Sequence, residues 1–416
     1  MLSDVKKCAK RWFILLIFAT VIALGLKVIA YALPNDLVRE NVKQSAMMMA
    51  RDGYFRQSIP GTTGADIDNF SLSFWLSESV FEGKYSFIEK VMLSPSYLYG
   101  VPKYYEVLNA TNKVPSDDIN IYGRYWQGAV FFLKVLHIWF NLDEIRMINL
   151  ALQTLLLVGV LLCIYRKLNV FYALAYLVAV IFCQPLTLAY SIPYSPLYYL
   201  VLLYSLLVLN LDKKYVNDNL FFMFGCGVCF VDFLTYPLVG LCFPLFLAIN
   251  LYGENFKKDV LKIIKYSVAW SVGYLGFWFN KFLLATIFTD ENILKDGMGT
   301  LWHRLTGYRV PEGDFSFLFA LERNLVEYIR EVNVYIVLAY VVVFLLCFLG
   351  MKRKFKLSYM MMINLIIGLY PFVWCLLARN HSVEHPGSVY RIFTISIIAI
   401  GGMLGAGVVS SKNDVR

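Results

Sequence analysis

Hydrophobic positions in this chain are gathered into long runs parted by short polar stretches, not scattered singly at a helical or strand period. Ten runs stand out, at roughly 12–32, 145–165, 169–184, 194–211, 220–236, 237–252, 264–287, 333–350, 359–378 and 392–410. Most approach the ~20 apolar residues a helix needs to cross a ~30 Å hydrocarbon core. In lipid, a helix satisfies all of its backbone polar groups internally. The pattern predicts an all-α polytopic membrane protein with about 10 transmembrane helices. The range is 8–12, because several runs are short and the pair around Pro237 reads equally as one broken helix. Residues 1–416 form a single integral membrane domain on this reading.

Composition narrows the picture further. The 416 residues are 59% hydrophobic and only 16% charged, against about a quarter charged in soluble domains, which excludes an ordinary cytosolic enzyme and a disordered chain. The net charge of +9 does not point to nucleic acid, because the basic residues are dispersed over short loops. Arg11, Arg166-Lys167, Lys213-Lys214, the Lys257–Lys265 cluster and the Lys352–Lys356 cluster fall on one face. Basic loops mark the cytoplasmic side, so both termini are expected inside, in a multi-pass protein of the plasma (inner) membrane. Lys6, Lys7, Lys10 and Arg11 precede Trp12–Tyr31 as in a signal peptide. That run is span length and no small-residue cleavage site follows, which predicts an uncleaved first helix. All eight cysteines lie in or beside apolar runs, so no disulfide framework is read. The Cys226-Cys229 pair has no second pair and reads as packing.

Three polar segments then fall on the outer face: 33–144 with interfacial helices, 289–332, and 379–391. A long ordered loop usually carries function, which directs attention outward. In the first loop a turn-rich Pro60–Gly64 leads to Ala65-Asp66-Ile67-Asp68-Asn69-Phe70, and a helix bearing Phe70, Phe74 and Phe81 is expected next. Asp66 and Asp68, two apart, face the same way only if extended. They could then serve as a base or part of a metal site, or Asp68 or Asn69 could simply cap the helix. Tyr122–Gly128, containing Arg124, Tyr125 and Trp126, opens an amphipathic segment ending at Phe140, and its aromatics read as interfacial anchors or a cavity wall. Asn109-Ala110-Thr111 is an acceptor sequon that matters only in a glycosylating compartment.

This layout resembles the C-type (GT-C) membrane glycosyltransferases: one helix outward, a long outer loop with acidic residues, an interfacial segment, then Arg146 opening the second span. That group includes protein mannosyltransferases and bacterial enzymes using polyprenyl-phosphate sugars. Where the mannosyltransferases carry a His-Pro-Pro-Leu-type motif, this chain reads Arg124-Tyr125-Trp126-Gln127-Gly128. The resemblance implies transfer of a hexosyl or pentosyl group from a lipid-linked donor to a glycan, lipid or protein acceptor at the outer face, in cell-envelope glycan or glycolipid synthesis. Asp66 or Asp68 would then act as general base, and it leaves open whether a divalent cation assists.

A phosphate leaving group needs fixed cationic donors. Arg379, His381, His385 and Arg391 supply them in the third loop, with His303, Arg304 and Arg309 available in the second. Arg379 and Arg391 could equally be headgroup anchors. His381-Ser-Val-Glu384-His385 also matches the inverted zinc-peptidase signature, but Pro386 disfavours the helix that signature needs. Asp232, near the outer end of an apolar run and followed by Pro237, either fastens helices through Thr235 or an arginine, or lines the substrate cavity. Gly225 and Gly227 before it allow close helix packing. Two other classes fit many spans: a polysaccharide polymerase or ligase, and a transporter or lipid flippase. The former keep their large loops late in the chain, and the latter would show internal repeats, of which none is evident.

Overall fold

The structure is a computed structural model that describes residues 2–61, 65–306, 316–328, 331–350 and 354–409. Arg309, among the residues considered for anion binding, and the Thr62–Gly64 part of the first turn lie outside the described residues. Among the described residues the regular structure is helical apart from an isolated Gln57–Asp66 bridge and two-residue strand pairs, Ser96–Tyr97 with Ile119–Asn120 and Lys354–Phe355 with Val408–Val409.

Helix α1 (Leu2–Ala32) runs into a small helical unit: α2 (Asp36–Asp52), α3 (Asn69–Ser79), α4 (Phe87–Leu93), α5 (Lys103–Thr111) and α6 (Ala129–Leu136). The apolar stripe of α2 (Val38, Val42, Ala46, Met49) packs on Leu72, Trp75 and Leu76 of α3 and Val130 and Leu133 of α6, giving this loop its own core. Phe81 does not ride on α3 with Phe70 and Phe74; it lies beyond the helix end at Ser79, buried against Tyr97. Lys27 ties the unit to α1 by donating to Glu78 at 2.9 Å and to Ser94 at 2.6 Å, all buried.

Next come α7 (Leu142–Lys167), α8 (Val170–Phe182), α9 (Pro185–Tyr190), α10 (Ser195–Asn210), α11 (Asp218–Val231), α12 (Leu238–Tyr252) and α13 (Phe256–Phe288). Asparagine caps start α7, α8, α11 and α13, at Asn141, Asn169, Asn217 and Asn255. These side chains satisfy orphan N–H groups that apolar neighbours could not. The chain closes with α14 (Ile293–Thr306), α15 (Phe317–Tyr328), α16 (Glu331–Gly350), α17 (Tyr359–Gly368), α18 (Tyr370–Leu377), α19 (Arg379–Glu384), α20 (Pro386–Val389), a 3₁₀ turn over Tyr390–Phe393 and α21 (Thr394–Gly407).

Among the described residues four helical stretches are long and apolar enough to cross a membrane: Lys6–Ala32, Leu142–Lys167, Tyr359–Leu377 and Pro386–Gly407. Four shorter apolar helices, α8, α10, α11 and α12, pack among them. Glycine brings α11 and α13 to backbone contact: a Cβ on Gly225 would lie 2.1 Å from the Trp270 carbonyl oxygen, and one on Gly273 2.2 Å from that of Phe222.

The basic loops meet at one end of the bundle. Lys213 and Lys258 both reach Glu254, at 3.0 and 2.8 Å, and Lys265 pairs with Asp218 at 3.2 Å. The acidic and histidine-bearing loops meet elsewhere, where α8, α11 and α18 end.

Candidate functional site

Residues 65–68 are extended. Ser58 N–H donates to the Ala65 carbonyl and Ile67 N–H to that of Arg56, both at 2.8 Å, and Asp66 bridges to Gln57. Asp68 then caps α3, its carboxylate accepting from Ser71 N–H at 2.8 Å, while its own N–H donates to Ser191 Oγ at 3.1 Å. Asp66 and Asp68 are both partly exposed. Burial pushes the Asp68 carboxyl up, while the Ser71 hydrogen bonds and the Arg391 charge draw it back. Arg146, fully buried at the start of α7, clasps both supporting strands of chain. Its guanidinium donates to Asn69 Oδ1 at 2.9 Å and to the Tyr190 carbonyl at 3.1 Å.

Arg391 comes to this segment from the far end of the chain. It is fully buried, lies 4.7 Å over the rings of Tyr194 and Tyr390, and donates to the carbonyls of Gly387 at 2.7 Å and Cys183 at 3.3 Å. The Cys183 contact places a cation at the C-terminus of α8, where the helix dipole favours it. Tyr194 sits within the fields of Asp66, Asp68 and Arg391 together. Two acids from the first loop and one base from the third thus share one locus, as the spacing of neither motif reveals.

The segment after α11 forms the next wall. Asp232 is buried and turns back on Thr235, accepting from its N–H at 3.1 Å and from its hydroxyl. This leaves Leu234 in the left-handed region (φ +67°), its carbonyl turned toward His381. His381 is buried and donates Nε2–H to that carbonyl, with Nδ1 left without a partner. Burial and the nearby His385 and Arg304 hold its imidazole neutral, well below the ordinary value. A neutral ring already donating to a carbonyl does not bind phosphate as a cation, so His381 is better described as a brace for the 232–235 turn. Tyr236 donates to the Tyr194 carbonyl at 2.7 Å, joining this wall to the Asp68–Arg391 locus.

Beyond Leu234 lies a second ionic group. Arg304 on α14 donates through Nη1 to Glu384 and to His385 Nε2, both at 2.6 Å, and His303 Nε2 lies 3.1 Å from Glu384. Loss of water and the Arg304 charge hold His385 down to about 4, so it accepts as the neutral ring. The hydrogen bonds of the two histidines and the glutamate of the zinc-peptidase-like motif go to Leu234, Arg304 and His303, while the His381 and His385 rings lie 4.9 Å apart and His385 Nε2 stands 4.0 Å from Glu384. Among the described residues no group of three histidine, cysteine or carboxylate side chains is arranged to hold a metal ion. Arg379 stands apart: it is exposed, and among the described residues it has neither hydrogen bond nor ion pair. It does not join Arg391, which corrects the expectation of one four-residue anion cluster.

Arg124 lies 4.3 Å over the Tyr122 ring and pairs with Asp296 of α14 at 3.0 Å. Tyr125 stacks between Tyr122 (5.4 Å) and Trp278 (5.5 Å), with Phe233 edge-on at 5.6 Å. Trp126 does not line a cavity. It is fully buried, stacked 4.6 Å from Phe277, and donates Nε1–H to that residue's carbonyl at 2.9 Å, so it fastens the loop to α13. Below α14 an apolar groove of about 300 Å³ runs between α13 and α18, lined by residues including Leu238, Trp270, Trp278, Leu301, Tyr370 and Trp374, with Arg304 at one end.

Sequence reasoning passed over Tyr194 and Ser191, which complete these contacts, and read Glu384 only as part of the zinc-peptidase-like motif. The only hint of the first two was the proline-broken run around Pro193 and Pro196. Together, fold and site describe a helical membrane protein in which acid and arginine side chains from separate loops are brought together through Ser191 and Tyr194. No protein-family model matches the chain, and no curated protein or solved structure matches it at a significant level.

Proposed function

We propose that this protein is a multi-pass membrane glycosyltransferase that moves a sugar from a polyprenyl-phosphate donor to an acceptor at the outer face of the membrane. The observation that carries the reading is the path from Asp68, whose N–H donates to Ser191 Oγ at 3.1 Å, through Tyr194, whose N–H donates to the Ser191 carbonyl at 3.0 Å, to Arg391, 4.7 Å over the Tyr194 ring. General-base and anion-stabilising groups are brought together there from residues more than 300 apart in sequence.

Each of the ten apolar runs carries a helix, and four of the helical stretches among the described residues are long and apolar enough to span by themselves. The basic loops converge at the end opposite the cleft, in keeping with both termini inside and the cleft outside. Helices α8 and α11, of 13 and 14 residues, are only about 20 Å long. They stop short of a full bilayer, so the cleft floor at Cys183 and Asp232 would lie below the headgroups, within reach of a lipid-borne substrate.

In this mechanism one carboxylate, Asp66 or Asp68, takes the proton from an acceptor hydroxyl. The hydroxyl oxygen attacks the anomeric carbon, and the bond from that carbon to the phosphate oxygen breaks, its electron pair leaving with the phosphate. Arg391 and Arg304 offset the charge that develops there. The isoprenoid tail lies in the apolar groove below α14. Phe233 and Arg124, both partly exposed beside the stacked Tyr122 and Tyr125, offer the sugar an aromatic and a cationic contact.

The test is direct. Purified protein in lipid nanodiscs, given polyprenyl-phosphate-linked sugars, releases free polyprenyl phosphate. Asp68→Asn or Asp66→Asn lowers the rate roughly 10²–10⁴-fold, the usual weight of a general base. Full activity in both variants removes the base assignment. Movement of lipid between leaflets without bond cleavage would make the protein a flippase instead.

A further inference from the structure

Arg304 is the single charged side chain lining the groove below α14. An arginine recognises an oxyanion best through two parallel N–H donors, yet Arg304 meets Glu384 through Nη1 alone, at 2.6 Å. Its Nε is buried and has no partner. The same Nη1 is shared with His385 Nε2. Glu384 is itself partly exposed and held on its other oxygen by His303. Among the described residues the pair is a one-point contact on a side chain that lines the groove, and Nη2, the other donor of that fork, meets no partner.

We propose that Glu384 is an internal counter-anion, which occupies Arg304 until the phosphate of a single-chain lipid phosphate, its tail in the groove, displaces it. The inference rests on the glycosyl-transfer reading for the class of lipid and adds how that lipid gains its place. A tetrahedral phosphate can take Nη1 and Nη2 together through two of its oxygens, where the carboxylate takes Nη1 alone. The groove, at about 300 Å³, stands at the small end of ligand cavities and suits one chain better than a diacyl pair. Binding is therefore an exchange of one anion for another: the empty site keeps its buried arginine neutralised, and a neutral isoprenoid alcohol cannot open it. Glu384 released from Arg304 keeps His303 as a partner, so the exchange leaves no orphaned carboxylate.

The experiment uses the full chain in phosphatidylcholine nanodiscs, titrated with farnesyl phosphate and followed by the fluorescence of the groove tryptophans. Glu384→Gln removes the competing charge and tightens farnesyl phosphate several-fold. Arg304→Gln weakens it about tenfold or more, and Arg304→Lys, which keeps the charge and loses the fork, falls between. Farnesol binds the wild type and Glu384→Gln equally. A Glu384→Gln protein that binds farnesyl phosphate no more tightly than wild type overturns the proposal, even if Arg304→Gln proves unstable. Equal competition by inorganic phosphate, or the same Glu384 dependence for phosphatidic acid, overturns the single-chain lipid assignment. Because the readout is binding, the two readings part cleanly. Tightening by Glu384→Gln with no sugar transfer from any lipid donor would end the transferase reading and leave the counter-anion standing. Asp68-dependent transfer with an unchanged Glu384→Gln affinity would do the reverse.

Discussion

Asp68 holds two positions at once, as the cap of α3 and as a carboxylate in the field of Arg391. The cap fixes its rotamer, a condition for any group that must meet a substrate within tenths of an ångström. Its raised pKa has a consequence with a definite sign. A base works only when deprotonated, so activity falls on acidification as pH drops through the folded-state value. Since burial lifts that value, the acid limb of the kcat/KM profile lies above the ordinary ~3.9 of an aspartate. A profile flat to pH 4 in a protein still folded would exclude Asp68 as the base. The pair Asp66–Asp68 was visible in the sequence as two carboxylates two apart, and so was the alternative that Asp68 caps a helix; the structure makes both descriptions true. Arg379 and Arg391 looked alike in sequence, and only burial tells them apart. Arg391 finds carbonyls of Gly387 and Cys183 to bind, while Arg379 faces outward.

At the scale of elements, the site depends on α11 and α13 being close enough to hold the 232–236 turn against Tyr125 and Trp278. That closeness comes from Gly225 and Gly273, whose missing side chains let one helix backbone touch the other. Small residues serve this purpose between helices in lipid, where no hydrophobic force presses them together. Gly225→Ala would set its methyl 2.1 Å from the Trp270 carbonyl oxygen. It should cost about 1–3 kcal/mol, as overpacking does, and lower the unfolding temperature in detergent. Gly276→Ala, on the partner helix α13, meets nothing within 4 Å and should leave that temperature unchanged or slightly raised. Equal behaviour of the two variants would show that the contact does not matter. The glycines' packing role was readable from the sequence. Their partner was not, because α13 is about 45 residues away from them and nothing in either run specifies which neighbour it will meet.

Across the whole molecule, charge is divided between two ends. One end gathers Lys213, Lys258, Lys262 and Lys265 around Glu254 and Asp218; the other gathers the aspartates, histidines and outer arginines. If the first end is cytoplasmic, a cysteine placed at Lys113 reacts with a membrane-impermeant maleimide in intact cells. One placed at Lys213 reacts only after permeabilisation. The reverse pattern would turn the protein over and move the proposed chemistry to the cytoplasmic face. Helix α14 spans between the two ionic groups of the cleft, anchored by Arg124–Asp296 at one end and Arg304–Glu384 at the other, so groove and cleft share one cover.

The sequence by itself determined that the chain is helical, built for lipid, and polar in a few loops, because length and continuity of apolar runs are local properties that lipid reads directly. It also offered Asp68 as the cap of the helix that follows, because a cap acts within three residues of itself. What it could not contain is adjacency. That Arg391 lies by Asp68, that His381 braces Leu234 and Trp126 serves only packing, and that Glu384 rests on Arg304 were all decided by tertiary structure. These contacts depend on how a dozen helices of nearly interchangeable apolar surface choose their neighbours, and that choice is made by shape and by the few buried polar groups each helix must satisfy.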